Sequence, residues 1–409
     1  MKILQEIKPS EKEIEKSNKV LISLVKDLKQ NLKNCSIVIG GSFAKDTWLS
    51  GNHDIDLFIK FNYLKFKDKD ISEFLKNNLK KIKYKIVHGS RDYLQVKKKG
   101  FQFELIPVLD IKTISQAKNI TDLSPFHTTW VKKNVKNTDE IRIAKKFFKE
   151  NELYGAETHL KGFSGYTIEI LVAHYKSFYN LIKSASQWKK NEFIDTKKYY
   201  KNKVLGLKNI NKARLSTLIV IDPIQKERNT SAALSNKNYN KFIQLSKDYL
   251  RNPNEDFFKS KKINFKLIKE NYKDSKIARL KIKSLKEKED IAGAKILKVQ
   301  NHIYKKLKNE GFTVHDHDIS WNGKIVSYFI IKDEVLPDYK KHYGPPIKEN
   351  KHLELFKQKW KDYKLKNEGP RVYIEIKRKH KKLKSFLKNL LKKDSIIKNN
   401  VRKIRLKLL

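Results

Sequence analysis

The sequence predicts an α+β chain built from several domains. Three observations point there. Its 409 residues amount to two or three domains at roughly 150 residues each. Hydrophobic residues make up 39% and aromatics 11%, enough for real cores although 33% of the residues are charged. Strand-like and helix-like patterns alternate at both ends of the chain, and the middle is mainly helical.

Residues 10–32 read as a helix. Ser10 caps it, Glu13 completes a capping box, and Ile14, Val20, Leu21, Leu24 and Leu28 recur at helical spacing. Residues 36–39 form a short strand ending at Gly40-Gly41, and 42–48 a helical turn. A strand follows over 55–59, with Asp54 and Asp56 at its entrance. Residues 70–81 are a helix, and 85–87, 92–96 and 101–109 are strands. The stretch Leu123-Ser124-Pro125-Phe126 breaks the pattern. Residues 139–151 then form a helix with Asp139 as its cap, and 166–182 a longer apolar one. Arg251-Asn252-Pro253-Asn254 is a polar, proline-bearing break near which a boundary falls. Beyond it, a helix over 290–310 stops at Gly311, and strands 312–321 and 324–331 flank the hairpin signal Asn322-Gly323. A strand over 371–376, a helix face of Leu383, Phe386, Leu387, Leu390 and Leu391, and an alternating strand through Ile404, Leu406 and Leu408 complete the chain. No internal repeat is visible.

Lys and Arg number 92 against 45 acids, a formal charge of +47. Such a field attracts a polyanion, nucleic acid first. An AT-rich genome explains lysine over arginine but not the shortage of balancing acids. The single cysteine, Cys35, excludes an internal disulfide and a multi-cysteine zinc site. The opening MKILQEIKPSEKE does not read as a signal peptide, and no window of about 18 apolar residues exists to span a bilayer. The expectation is a cytoplasmic protein with no membrane partner.

The chemistry centres on "GGSFAKDTWLSGNHDIDLFIKF". Residues i and i+2 of a strand point the same way, about 6 to 7 Å apart. Asp54 and Asp56 therefore converge, which is unfavourable unless a cation lies between them or one is protonated. Hard oxygen ligands at this spacing suit Mg²⁺, which takes one or two carboxylates plus phosphate oxygens. Glu104, isolated in the apolar strand Phe103-Glu104-Leu105-Ile106-Pro107, supplies a third acid; Asp110 is its rival. Two acids at a strand start are, alone, more often a solvated edge. Gly40-Gly41-Ser42 shifts the balance, because glycines before a helix let backbone approach a phosphate. Ser42 can donate to a triphosphate and Lys45 can neutralise it. His315-Asp316-His317-Asp318, with histidines and acids on opposite strand faces, is a poor single-metal site. Trp130, Trp188, Trp321 and Trp360 are read as core before RNA stacking.

The order GGS, DxD, then a third acid resembles the signature of the polymerase-β-like nucleotidyltransferases. "RIAKKFFKENELYGAETHLKGFSGYTIEILVAHYKSF", "IDPIQKERNTSAALS", "HYGPPIKENKHLELFKQKW" and "RVYIEIKRK" resemble the archaeal, class I CCA-adding enzymes. The resemblance implies a nucleotidyltransferase catalytic head (1–138), a helical central nucleotide-binding domain (139–253) and an α+β tRNA-binding body and tail (254–409). It implies addition of C, C and A to the 3′ end of tRNA from CTP and ATP. Asp54, Asp56 and Glu104 become the Mg²⁺-binding carboxylates. Ser42, Lys45, His127, Lys145, Tyr154 and Arg228 become nucleotide-binding residues. The tRNA acceptor stem and TΨC arm become the partner, and a homodimer the assembly. Two positions depart from the family: Glu104 stands where aspartate is usual, and Lys45 where arginine is usual, which removes a bidentate fork. The rival readings are a poly(A) polymerase or oligoadenylate synthase of the same superfamily, and a non-catalytic RNA-binding relative.

Overall fold

The computed structural model describes residues 2–79, 81–261, 263–321 and 323–409. The chain divides into two compact units, Met1–Lys261 and Lys262–Leu409.

The first unit opens with α1 (Lys2–Ile7) and α2 (Glu11–Asn31). The Ser10 hydroxyl caps α2 by accepting from the Glu13 N–H. The expected capping box does not close, because the Glu13 carboxylate reaches instead to Ser50 and Gly51. Next come β1 (Cys35–Ile39), the single turn α3 (Gly41–Ala44) and β2 (Asp54–Asn62). The helical turn is thus shorter than expected and the acid-bearing strand longer. The helices α4 (Tyr63–Phe66) and α5 (Ile71–Asn78) follow, with Asp70 capping α5 through the Ser72 and Glu73 N–H groups. The expected helix reached across Lys80, which lies outside the described residues. Then come β3 (Tyr84–Val87), β4 (Tyr93–Lys98) and β5 (Phe101–Asp110).

These strands make one five-stranded sheet in the order β1-β2-β5-β4-β3. The pair β2 and β5 runs parallel, and the other neighbours are antiparallel. The inward side chains of β2, Ile55, Leu57, Ile59 and Phe61, join Leu24 and Leu28 of α2 and Leu75 of α5 in one core. Each such side chain, fully buried, contributes roughly 1.5–3 kcal/mol. The opposite face of β2 is left for Asp54 and Asp56.

The helix α6 (Ser124–Asn134) starts where a break was expected. Pro125 lies in its first turn, where the missing N–H has no helical acceptor to lose. His127 is therefore a helical residue rather than a loop one. In α7 (Thr138–Glu150) the cap is Asn137, not Asp139: Asn137 accepts the Asp139 N–H, and the Asp139 carboxylate pairs with Arg142 and Lys8. The single helix expected over 166–182 is two, α8 (Gly165–Tyr175) and α9 (Phe178–Ala185). Lys176 takes a left-handed φ of 71°, and Ser177 caps the new helix through the Asn180 N–H. The strands β6 (Glu192–Ile194) and β7 (Leu218–Val220) pair in parallel around α10 (Lys203–Asn209), and α11 (Asn236–Arg251) closes the region. A large aromatic core holds it together. Phe147, Phe148, Phe163, Phe178 and Phe242 are buried there, as are Trp130 and Trp188, and α1 contributes Ile3 and Ile7.

The second unit contains α12 (Phe265–Asn271), β8 (Lys276–Lys283), α13 (Glu289–Glu310), β9 (Val314–Ser320), β10 (Val326–Ile331) and β11 (Tyr339–Pro346). It continues through α14 (Asn350–Lys359), β12 (Lys366–Glu368), β13 (Arg371–Lys377), α15 (Leu383–Lys393), α16 (Ser395–Asn400) and β14 (Lys403–Leu408). Gly311, at φ 102°, ends α13. The hairpin partners β9 and β10 are antiparallel with Val326 opposite Ser320; Asn322 of the turn signal lies outside the described residues. The four-stranded sheet runs β14-β8-β10-β9, so the final strand lies at an edge beside β8. A second, three-stranded sheet runs β11-β13-β12. Trp321 is partly buried against the core of this unit, and Trp360 packs with His342 and Phe356.

Candidate active site

Strand parity and sheet register gather the acids. Asp54 and Asp56 share one face of β2. In the parallel register Asp56 stands beside Glu104 of β5, and Asp54 beside Gln102. Asp54 is exposed and accepts from the Gln102 side chain at 3.0 Å. Burial pushes the Asp56 carboxyl up to about 6; Asp54 and Glu169 push the same way, and Lys45 and Lys145 pull back. Glu104 is held from β4: the Tyr93 hydroxyl donates to it, and burial together with that carboxylate raises Tyr93 to about 12. The Gln95 amide lies 3.5 Å from the same carboxylate. Among the described residues no three His, Cys, Asp or Glu side chains close into a ready metal cage. The register brings all three acids to one face, where Asp54 acts electrostatically on Asp56.

Gly41 explains why two glycines precede the turn. Its φ is 58°, and a Cβ there would stand 1.5 Å from Asp56 Oδ2. The Gly40 N–H donates to the Asp56 carbonyl at 2.8 Å. The turn is thus pressed against the acid, with Ser42 beside it.

Lys45 and Lys145 meet on one carboxylate. Glu169, fully buried on α8, accepts from Lys45 at 2.6 Å and from Lys145 at 2.7 Å. Lys145 also donates to Thr47 Oγ1 at 2.9 Å, and the Thr47 hydroxyl donates to Glu169. Burial would raise Glu169, but the two ammonium groups outweigh it and hold the carboxyl at about 2. Beside this network lies a cleft lined by Ser42, Thr47, Trp48, Asn52, Lys145, Lys149 and Tyr154. Tyr154 is 37% exposed. Its hydroxyl would stand only 2.8 Å from a Cβ added at Gly165. Burial first and Glu169 second push that hydroxyl up to about 12.

His127 and Arg228 form a separate cluster around Asp222. The buried Asp222 carboxylate accepts from Arg228 at 2.8 Å, from the Tyr166 hydroxyl at 3.0 Å and from the Ile224 N–H at 2.8 Å. His127 Nε2 faces it at 3.4 Å, and the imidazole stacks on Tyr166 at 4.3 Å. Burial opposes the charge on Asp222, but these partners hold its carboxyl below the usual range. Burial and Asp222 together raise Tyr166. Tyr166 and Glu169 lie three apart on α8, on one helical face. This helix therefore serves both clusters.

Three family models match. Residues 21–115 match a nucleotidyltransferase domain, 139–259 the second domain of tRNA nucleotidyltransferase, and 275–407 the C-terminal domain of CCA-adding enzyme. The CCA-adding enzyme of Nanoarchaeum equitans is 35% identical over 372 residues, 90% of each chain. The chain belongs to the CCA-adding enzyme family. The CCA-adding enzyme of Methanosarcina barkeri is 31% identical over 388 residues, covering 88% of this chain and 80% of its own. The fold extends further. A crystal structure of a poly(U) polymerase superposes with a TM-score of 0.51 at 14% identity, over 64% of this chain and 97% of that one.

Some residues of the candidate site escaped the sequence reading. Glu169 is an acid inside the apolar run Tyr166-Thr167-Ile168-Glu169-Ile170-Leu171, the same signal that singled out Glu104. Asp222 stands six residues before Arg228 and carries no signal of its own. Thr47, Asn52 and Lys149 carried no local signal, because the cleft exists only once α7 is docked beside the 42–52 segment. No helix of the described residues is long and apolar enough to cross a membrane.

Proposed function

We propose that this chain adds C, C and A to the 3′ end of tRNA from CTP and ATP, with release of pyrophosphate. The observation that carries the reading is the cleft itself: Ser42, Lys145 and Tyr154 line it. Asp56, pressed against the turn that carries Ser42, feels the charges of Lys45, Lys145 and Asp54. Cations for a triphosphate and acids for its counter-ion occupy one place.

Nucleotidyltransferases of this type use divalent metal ions, and the donor set here fits Mg²⁺. All the candidate ligands are hard carboxylate oxygens, and Mg²⁺ needs only one or two of them when phosphates supply the rest. Asp54 and Asp56 would hold the ion, with Glu104 at the rim, its carboxylate steadied by Tyr93. An ion held there would supply Lewis acidity toward the RNA 3′-hydroxyl and counter-charge for the leaving pyrophosphate. The bond that forms joins the ribose 3′-oxygen to the α-phosphorus; the bond that breaks joins that phosphorus to the pyrophosphate oxygen.

The chain's own groups orient these partners. Ser42, Lys45, Lys145 and Tyr154 grip the phosphates. Glu169 pairs with both lysines and keeps them aimed. His127 and Arg228, fixed by Asp222, face the base, so the choice between CTP and ATP falls to protein groups together with the RNA end. The head, 1–138, then carries the acids, the central domain, 139–253, the phosphate and base contacts, and the body and tail, 254–409, the tRNA acceptor and TΨC arm. RNA of that shape is held by phosphate and 2′-hydroxyl contacts rather than by sequence.

The test is incubation with tRNA lacking its 3′ CCA, Mg²⁺, and CTP or ATP separately and together. The expected result is two cytidines from CTP alone and CCA from both nucleotides. Long adenosine tails on RNA without a tRNA shape would replace this reading with a poly(A) polymerase.

A further inference from the structure

We propose that Glu13 is a positioning residue for the carboxylate pair, bracing the segment Ser50–His53 that leads into Asp54. This rests on the reading of Asp54 and Asp56 as metal ligands.

Asp54 is exposed, so side-chain packing cannot fix it. Its place is set by the backbone leading into β2, and one carboxylate grips that backbone at several points. Glu13 Oε2 accepts from the Ser50 hydroxyl at 2.8 Å, and Oε1 accepts from the Gly51 N–H at 2.8 Å. The same Oε1 faces His53 Nε2 at 3.3 Å. Glu13 thus grips both ends of a four-residue bend, in which Gly51 takes a φ of 77°.

Each end is also tied elsewhere. The Ser50 N–H donates to the carbonyl of Ile7, whose side chain is buried in the aromatic core. The His53 ring packs on Phe101 at 4.7 Å, and its carbonyl accepts the Gln102 N–H at 2.9 Å. The Gln102 side chain then reaches Asp54. A continuous path runs from the first turn of α2 to the exposed acid. Burial opposes ionisation of Glu13, but Gly51, Ser50 and His53 hold its carboxyl below the usual range, so the brace is charged at neutral pH. A Glu at the third helical position usually turns back onto its own cap; this one is spent on the loop instead.

The experiment compares the parent chain with Glu13→Ala and Glu13→Gln. Mn²⁺ binding without nucleotide is read from the free-ion EPR signal. kcat and KM for CTP are measured on tRNA lacking CCA. Groups that orient metal ligands typically change metal affinity or activity by 10–100-fold. Glu13→Ala is therefore expected to weaken Mn²⁺ binding about tenfold and to lower kcat about as much, with KM for CTP within about twofold. Glu13→Gln, which keeps one acceptor, is expected to fall between. Ser50→Ala removes one contact and leaves α2 intact, so it decides the matter even where Glu13→Ala folds poorly; a loss of about threefold in both readouts is expected. Parent-like Mn²⁺ binding in Glu13→Gln and Ser50→Ala overturns the proposal alone. A parent chain that binds no Mn²⁺ overturns the metal reading and the proposal with it.

Discussion

Asp56 is held in a place that disfavours its own charge. Its carboxyl rises from 3.8 to about 6, with burial the largest cause and Asp54 adding to it. The sign follows directly. A raised folded-state value means the fold binds the proton more tightly than the unfolded chain does. The contribution is favourable below about 4 and is lost as pH rises through about 6. At about 1.4 kcal/mol per pH unit this is on the order of 3 kcal/mol. On the proposed reading, a divalent cation bound at this carboxylate would relieve that strain. Mg²⁺ or Mn²⁺ is therefore expected to raise Tm at pH 7.5 and to leave it nearly unchanged at pH 5, and Asp56→Asn is expected to melt higher than the parent without metal while losing nucleotide addition. Calorimetric melts across pH with and without metal check this; equal metal stabilisation at both pH values would refute it.

Glu169 has the opposite sign. Its carboxyl falls from 4.5 to about 2 under Lys145 and Lys45. Its stabilisation is fully present above about 4.5 and is lost as pH falls toward about 2. Glu169→Gln strands two buried ammonium groups, which costs about 3–5 kcal/mol. Urea unfolding of parent and variant at neutral pH should show that gap, and the gap should shrink as pH drops through that window. A gap that stays constant to pH 2.5 would mean the pair contributes little.

At the scale of elements, the single turn α3 and the strand β2 act as one piece. The turn approaches Asp56 so closely that only glycine fits at position 41. Gly41→Ala needs both a left-handed backbone, which costs about 1–3 kcal/mol, and displacement of the Asp56 carboxylate. The expected outcome is a loss of nucleotide addition of at least about a hundredfold, the scale of misplacing a reacting group by an ångström. Binding of tRNA, followed by filter retention, should change by less than about threefold, because the body and tail are proposed to carry most of the phosphate contacts. Helix α8 makes the complementary link. Its Tyr166 steadies Asp222 and its Glu169 steadies the lysines, so the clusters proposed for the base and the phosphates are tied to residues one turn apart.

Across the whole molecule, the +47 charge is the dominant field. Counterion release makes binding to a structured RNA steeply salt-dependent. With six or more phosphates neutralised, affinity for tRNA should fall roughly a thousandfold between about 50 and 200 mM salt. Equilibrium binding at several salt concentrations measures the slope, and a flat response would assign the charge another purpose. Two units with their own cores carry this field, one built on the sheet of β1 to β5 and the aromatic helices, the other on β8, β10 and α13.

The sequence by itself determined whatever depends on near neighbours. Strand parity put Asp54 and Asp56 on one face, an apolar run marked Glu104, and the glycines before Ser42 announced a tight turn. Helical spacing marked α2 and α13, and Gly311 marked where α13 ends. Short-range signals failed where two local partners compete. Asn137 took the cap expected of Asp139, Glu13 left its capping box for a loop, and Lys176 split one helix into two. Only the tertiary structure decided who neutralises whom. Lys45 meets Glu169 across 124 residues, and Lys145 meets Thr47 across 98. No periodicity encodes such pairings. They arise because β5 returns parallel to β2 and the central helices dock beside the 42–52 segment, and charges buried by that docking keep only the partners it brings within reach.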